Sequence, residues 1–341
     1  MSTESFTYHK GNQSIDEFSD GVKAYTGILL GLMTSESNII LLDEPEAFLH
    51  PSLVFSLGKQ ISSYIVDKTK NVFISTHNAN FIMGCLQTRI PITIIRLTYQ
   101  NAIASTQAMD YSDLVKFMRN PLLRSVGVIN ALFYNFVIVT EGDNDRAFYD
   151  EINERLLTFS ENRGIPNCLF LNAQNKQTIP TIVQLLRKMG VPTAAIMDLD
   201  AIKKDSDWSF ITDAFSIPEL CKSSIYSLRT SVEKKLNDIN SNYKIEGGVQ
   251  NLSVEDKKAA EDLFRLLSSY GLFIVPNGEI ESWLKNLSVD INRRSNHGTK
   301  WIINIFEKMG DDPNSDYVFP TDGDVWNFVS SIRDYFFEKT K

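Results

Sequence analysis

The chain has 341 residues, enough for two domains that each bury a core of their own. Its 43% hydrophobic and 22% charged residues are those of a globular protein, and no apolar run approaches the ~20 residues of a membrane helix. A net charge of −8 excludes a protein that coats nucleic acid by bulk electrostatics, so any DNA track must be a local basic strip.

Residues 15–33 carry a helical pattern that opens after Ser14, with Asp16 and Glu17 in the first turn. Asn38-Ile-Ile-Leu-Leu-Asp43 is a short continuous apolar run, which predicts a strand buried on both faces. Residues 52–66 predict a helix, Asn71-Val-Phe-Ile-Ser75 a second buried strand, and residues 78–86 another helix. Residues 92–97 and 102–108 predict two further strands forming an antiparallel edge. The helical stretch 111–133 breaks near Asn120-Pro121 and marks a domain boundary. A second alternation follows: strands at 136–140, 168–171 and 193–198, with helices at 143–157 and 178–189. The remainder reads as helical, with one more strand at 272–275. Strands alternating with helices predict an α/β fold of two tandem lobes with parallel, doubly wound sheets. The boundaries read as a first domain over 1–110, a helical linker over 111–134 and a second domain over 135–341.

In the first lobe, Ile39-Ile-Leu-Leu-Asp43-Glu44-Pro45 puts two carboxylates at the carboxyl end of an apolar strand, where ligands sit in open α/β sheets. Asp43 there suits a hydrated magnesium ion, and Glu44 suits orientation or deprotonation of an attacking water. Ser75-Thr76-His77-Asn78 ends the next strand, where His77 could sense a terminal phosphate. Phe18-Ser19-Asp20-Gly21 starts a helix whose free N–H groups form an anion site. An acidic strand end or a lone histidine is ordinarily structural; the three together in this order are more specific.

In that order the elements resemble the ABC-type ATPase module. Ser19-Asp20-Gly21 is similar to its signature loop, Asp43-Glu44 to its Walker B pair, and His77 to its switch histidine. Glu46-Ala-Phe-Leu-His50-Pro51 resembles the adjoining loop that lines the dimer contact in that family. The resemblance covers roughly the first third of the chain. It departs in one respect: no Gly-x-x-x-x-Gly-Lys-Ser/Thr occurs, and Gly58-Lys59-Gln60 is no substitute. The expectation is the C-terminal part of an ATPase, a degenerate ATPase, or one completed by a Walker A loop from another chain or an N-terminal segment. ATP binding through Ser19, Gly21, Asp43, Glu44 and His77 would need that loop, and autonomous ATP hydrolysis is not expected.

In the second lobe, Val137-Ile-Val-Thr140-Glu141-Gly142 places a glutamate at a strand end, with Gly142 letting the backbone turn into the next helix. Asp145 follows near that helix start, where a carboxylate suits the helix dipole. Ala194-Ala-Ile-Met-Asp198-Leu-Asp200 ends another strand in an Asp-x-Asp pair, and alternate residues of an extended segment face the same way. Carboxylates brought so close repel unless a cation or a proton relieves them, and hard divalent ions want several oxygen ligands.

Strand–Glu–Gly followed by Asp-x-Asp resembles the Toprim domain of topoisomerases, primases and the OLD (overcoming lysogenization defect) nucleases. A Toprim domain after an ABC-type ATPase is the OLD arrangement. The resemblance therefore implies a partial ABC-type ATPase lobe followed by a Toprim (Rossmann-like) parallel-sheet domain with helical additions. It matches Glu141 and Asp145 to the first acidic motif of that family, and Asp198 and Asp200 to the second. A later acidic element falls at Gly278-Glu279-Ile-Glu281-Ser-Trp-Leu284, where Glu281 fits better than Glu279, although an acidic helix start reads the same way. A late lysine is also implied, with Lys300 and Lys285 as candidates beside the plain reading of surface lysines.

The function this implies is hydrolysis of DNA phosphodiesters with one or two Mg2+ or Mn2+ ions, as endonuclease or nickase, regulated by the ATPase lobe. Glu141 is either a metal ligand or a general base. Family resemblance adds a homodimer or higher oligomer and a role in defence against phage. Rival readings are a Toprim protein of primase or topoisomerase type, a plain ATPase subunit, and a non-catalytic regulatory or assembly subunit. The scattered Cys85, Cys168 and Cys221 fit a reducing compartment, and the polar N-terminus has no signal core, so the reading is cytoplasmic with no membrane contact.

Overall fold

The structure is a computed structural model, and it describes residues 14–65, 70–100, 102–109, 111–119, 127–203, 208–289 and 297–339. The chain divides into two compact units, Met1–Arg124 and Ser125–Lys341. Of the predicted linker, helix Tyr111–Arg119 lies in the first unit, a 3-10 turn Val128–Phe133 lies in the second, and residues 120–126 fall outside the described residues.

The first unit opens with a 3-10 turn Ile15–Glu17 and helix α1 (Asp20–Thr34), with Ser19 at its N-cap, so the predicted single helix is broken at Phe18. Strands β1 (Ile39–Asp43) and β2 (Asn71–Ser75) pair in parallel, Ile39 opposite Asn71 and Asp43 opposite Ser75. Helices α2 (Pro51–Ile65) and α3 (Ala79–Gln87) follow one strand each, and Asn78 caps α3 by accepting from the Asn80 N–H. Ile40, Leu42, Val72 and Ile74 pack on a core of Leu32, Val54, Leu57, Ile61, Phe81 and Cys85.

The other face corrects the expectation of strands buried on both sides. Ile39, Leu41 and Phe73 are 62%, 75% and 61% exposed. The continuous apolar run is present, but among the described residues the helices cover only one face of this two-stranded sheet. Strands β3 (Ile94–Gln100) and β4 (Ile103–Met109) form a separate antiparallel hairpin rather than an edge of the parallel sheet, and helix α4 (Tyr111–Arg119) follows.

The second unit holds β5 (Phe136–Thr140), α5 (Asp143–Phe159), β6 (Cys168–Asn172), α6 (Ile179–Lys188), β7 (Thr193–Met197) and β8 (Leu272–Ile274), with the strands parallel in the order β6-β5-β7-β8. Between β7 and β8 run α7 (Trp208–Ala214), α8 (Glu219–Ile239) and α9 (Val254–Ser268), and α10 (His297–Met309) and α11 (Asp324–Lys339) complete the chain. Every residue of β5 and β7 is buried. Phe136, Ile138, Ala194 and Ile196 face Phe148, Ile152, Trp301, Trp326 and Phe336 of α5, α10 and α11. Val137, Val139 and Ala195 alternate to the opposite face, on the side of the buried α6 residues Ile182, Val183 and Leu186. This sheet is covered on both sides, as the apolar runs predict. Its order reverses between β5 and β7, and a crevice opens at the carboxyl ends of strands at such a switch point.

Candidate metal centre

Glu141 and Asp198 leave the carboxyl ends of β5 and β7 on the two sides of that switch point. The Asp198 N–H donates to Glu141 Oε1 at 3.0 Å, so the two strand ends are tied by a ligand-type oxygen. Asp198 then N-caps a 3-10 turn, Leu199–Ile202, which swings Asp200 back beside it. Convergence therefore comes from this turn and not from alternation along an extended segment. Glu141, Asp198 and Asp200 each offer an oxygen, all within 4.8 Å of one another.

Gly142 and Asp145 have a more structural part than their sequence pattern implies. Gly142 is extended (φ −130°), so it makes no turn that other residues cannot. Its use is room: a Cβ there would lie 2.9 Å from Asp145 Oδ2, the oxygen that accepts the Gly142 N–H at 2.9 Å. Asp145 thus caps α5 while lying close enough to Glu141 and Asp198 to raise the cost of their charge.

Two lysines absent from the sequence reading complete the cluster. Lys244 Nζ lies 2.7 Å from Asp198 Oδ2, 3.5 Å from Glu279 Oε2 and 3.8 Å from Asp200 Oδ1. Lys176 Nζ lies 3.3 Å from Asp200 Oδ2. Lys244 sits in a polar segment after α8 where nothing in the pattern singles it out. The weak signal is glycine: Gly278 (φ +126°) leaves no space for a Cβ, which would stand 1.8 Å from the Lys244 carbonyl oxygen. Leu199 N–H donates to Gly278 O, Val249 N–H to Pro276 O and Gly248 N–H to Tyr243 O, lacing three loops around the site.

Glu279 and Glu281 both approach. Glu279 meets Lys244 directly, whereas Glu281 is half-buried near Glu279 and Asp145. Lys285 instead donates to Gln250 Oε1 at 3.4 Å. Lys300 is exposed on α10, with no ion pair to the carboxylates among the described residues.

Burial sets the electrostatics. It pushes Asp198 up to about 8, assisted by the Glu141 charge and opposed by Lys244. Burial likewise raises Glu141 and Asp145, and with the neighbouring Glu279 lifts Glu281 to about 7. For Lys244, burial pulls the ammonium down but is outweighed by Asp198, Asp200 and Glu279, which hold it above the ordinary lysine value. Asp200 Oδ1 is buried without a hydrogen bond. An orphaned carboxylate oxygen beside two further carboxylates fits a hard divalent cation, which binds through oxygens.

In the first unit Ser75 Oγ donates to Asp43 Oδ1, and His77 Nδ1 lies 3.1 Å from Glu44 Oε1. The Glu44 backbone is left-handed (φ 42°) and donates to Ser75 O. Glu46, passed over as a site residue, is 5% exposed and accepts from Thr76 Oγ1 and from the His77 N–H, so it fixes the loop that carries His77. Ser19 is exposed at the α1 N-cap without a side-chain cap bond, and Gly21 packs on the Phe48 carbonyl, 2.8 Å from where its Cβ would be.

Comparison with known proteins yields two family matches. Residues 8–83 match a family described as "AAA domain, putative AbiEii toxin, Type IV TA system", and residues 132–200 match the overcoming lysogenization defect protein-like TOPRIM domain. No curated protein matches the chain. An ATPase-like domain followed by an OLD-like Toprim domain is the OLD-family architecture, and the second match ends on Asp200.

Proposed function

We propose that this chain, with its OLD-type order of ATPase-like and Toprim domains, is a metal-dependent DNA endonuclease or nickase that hydrolyses phosphodiester bonds at the Glu141–Asp198–Asp200 cluster. The observation that carries the reading is the convergence of three carboxylates at a sheet switch point, one with a buried oxygen that no donor satisfies. Glu141, Asp198 and Asp200 would hold the ion, with Glu279 or Glu281 bordering it and Asp145 supporting the helix start. A divalent ion bound there, Mg2+ or Mn2+, supplies the charge that activates water and stabilises the leaving oxygen. Glu141, tied by the Asp198 N–H, is held in one orientation as ligand or base. Lys176 and Lys244 offset the carboxylates and present positive charge toward a phosphate.

In the first unit, Ser19, Gly21, Asp43, Glu44 and His77 form the part of a nucleotide site that lacks a phosphate loop within these 341 residues. ATP would bind only where a Walker A segment is supplied from elsewhere, and the module would then regulate cutting through paired subunits. Anti-phage defence as an intracellular nuclease is the biological setting that the OLD order favours. Among the described residues no helix is long and apolar enough to cross a membrane.

The test is supercoiled plasmid incubated with protein and Mg2+ or Mn2+, beside EDTA and an Asp198→Ala control. Nicked or linear product from the wild-type protein alone, abolished by EDTA, is the expected result. Equal cutting by both proteins, or none with either metal, with or without nucleotide, overturns the reading.

A further inference from the structure

A cavity of about 160 Å3 adjoins the carboxylate cluster without belonging to it. Met197 precedes Asp198 and Ala201 follows Asp200, and both line the cavity, so it lies against the turn that carries the two aspartates. With Pro180 of α6 they make a buried apolar wall. Helix α7 adds two aromatic side chains, Trp208, 1% exposed, and Phe210, 42% exposed. Lys176 and Gln177 give the polar part of the lining. Lys176 Nζ also lies 3.3 Å from Asp200 Oδ2, so one side chain borders the cavity and the cluster together. Trp208 Nε1 is buried and has no acceptor among the described residues, whereas a buried indole N–H ordinarily finds one.

Size and chemistry narrow the occupant. Drug-sized ligands fill cavities of ~300 Å3 or more, so this space suits one planar ring system rather than a whole nucleotide. An aliphatic group would match the apolar wall but offer nothing to the Gln177 amide or the Trp208 N–H. A nucleobase matches all three parts of the lining: its faces stack on aromatic rings, and its edge carries carbonyls and ring nitrogens that accept from N–H groups. We propose that the cavity receives one unpaired nucleobase of the strand whose phosphate lies at the Glu141–Asp198–Asp200 cluster, with Phe210 as its stacking face. This rests on the nuclease reading above and deepens it, because it fixes the form of the substrate. A base held in a duplex stack cannot enter, so single-stranded, looped or frayed segments are bound in preference to uninterrupted duplex.

Photo-crosslinking tests the cavity without reference to cutting. A short single-stranded oligodeoxynucleotide carrying iododeoxyuridine is irradiated with the full chain, with Ca2+ as the divalent ion. The crosslink is expected at Phe210 or Trp208, located by mass spectrometry of the digested protein. Fluorescence anisotropy should give a Kd on the order of tenfold lower for the labelled single strand than for the blunt duplex of the same sequence. Phe210→Ala removes one stacking face and should weaken single-strand binding on the order of tenfold, with duplex binding unchanged. Phe210→Tyr keeps the ring and should bind as the wild-type protein does. Circular dichroism melts establish that each variant is folded; if Phe210→Ala does not fold, the crosslink on wild-type protein decides. Crosslinks confined to residues outside the cavity, duplex binding as tight as single-strand binding, or equal single-strand binding by wild type and a folded Phe210→Ala overturn the proposal. Plasmid nicking, measured separately, then leaves the nuclease reading standing. No binding of either strand form overturns the inference as well, and together with an absence of nicking it removes the nuclease reading too.

Discussion

Asp198 is held where its charge costs most, since burial and the neighbouring Glu141 both oppose it. It and Asp200 are 13% and 18% exposed, and the folded chain keeps them against Glu141 with Lys244 and Lys176 beside them. Such an arrangement opposes stability and favours cation binding, so one substitution should move the two properties in opposite directions. Asp198→Asn removes one of the repelling charges at constant shape. In the metal-free protein it should raise the melting temperature by a few degrees, read by calorimetry in EDTA. The same change, or Asp200→Asn, should reduce plasmid nicking on the order of a hundredfold or more, because a cation ligand is lost. A drop in melting temperature for Asp198→Asn in EDTA would mean that the carboxylate is a net structural asset and the repulsion argument wrong. Glu46 is the opposite kind of buried acid: it is paired with Thr76 and the His77 backbone and positions a loop.

At the scale of elements, the site depends on how loops are clamped to the sheet. Gly278 is the clamp for the Lys244 loop. Gly278→Ala would put a methyl group into the Lys244 carbonyl at a backbone angle that side chains avoid, and should cost about 2–4 kcal/mol, seen as a fall in the urea midpoint. A second clamp closes α5 onto α10. Arg155, 3% exposed, donates to the carbonyls of Met309, Val318 and Gly310, meets Glu151 at 2.6 Å and stacks on Tyr317. Arg155→Ala would strand those carbonyls in the interior and should destabilise by about 3 kcal/mol, lowering the melting temperature by roughly 6–12 °C. These clamps explain what could be read from the sequence. β5 and β7 announce themselves as apolar runs closing on acids, because a strand buried on both faces needs no partner to be recognised. The seat of Lys244 does not, because it is made by backbone from three loops and a glycine whose neighbour lies 34 residues away by number. Arg229 is hidden likewise: mid-helix on α8 it looks like a surface cation, yet it is fully buried and holds the Ile202 and Lys203 carbonyls just after Asp200.

Across the whole molecule the two units differ in how far their sheets are closed. In the second, helices cover both faces and the apolar pattern of the strands matches their burial. In the first, the same pattern predicts a sheet closed on both sides, but Ile39, Leu41 and Phe73 remain open to solvent. Strand type is legible there because it is local; closure is not, because it depends on whatever lies against the second face. The cores are separate, one around Leu57 and Phe81 and the other around Phe148 and Trp326, and every carboxylate of the metal centre belongs to the second unit. A cation that binds only the native arrangement stabilises it by RT ln(1 + [L]/Kd), about 2.7 kcal/mol at a hundredfold excess over Kd. That stabilisation should appear where the ligands are. Hydrogen exchange with Mn2+ present should therefore slow around Glu141, through 198–203 and 243–249, and across 276–281, while β1, β2 and the His77 loop keep their rates. Slowing that reached β1 and β2 equally would mean that the units open as one, and slowing in neither would leave the carboxylates without an ion to hold.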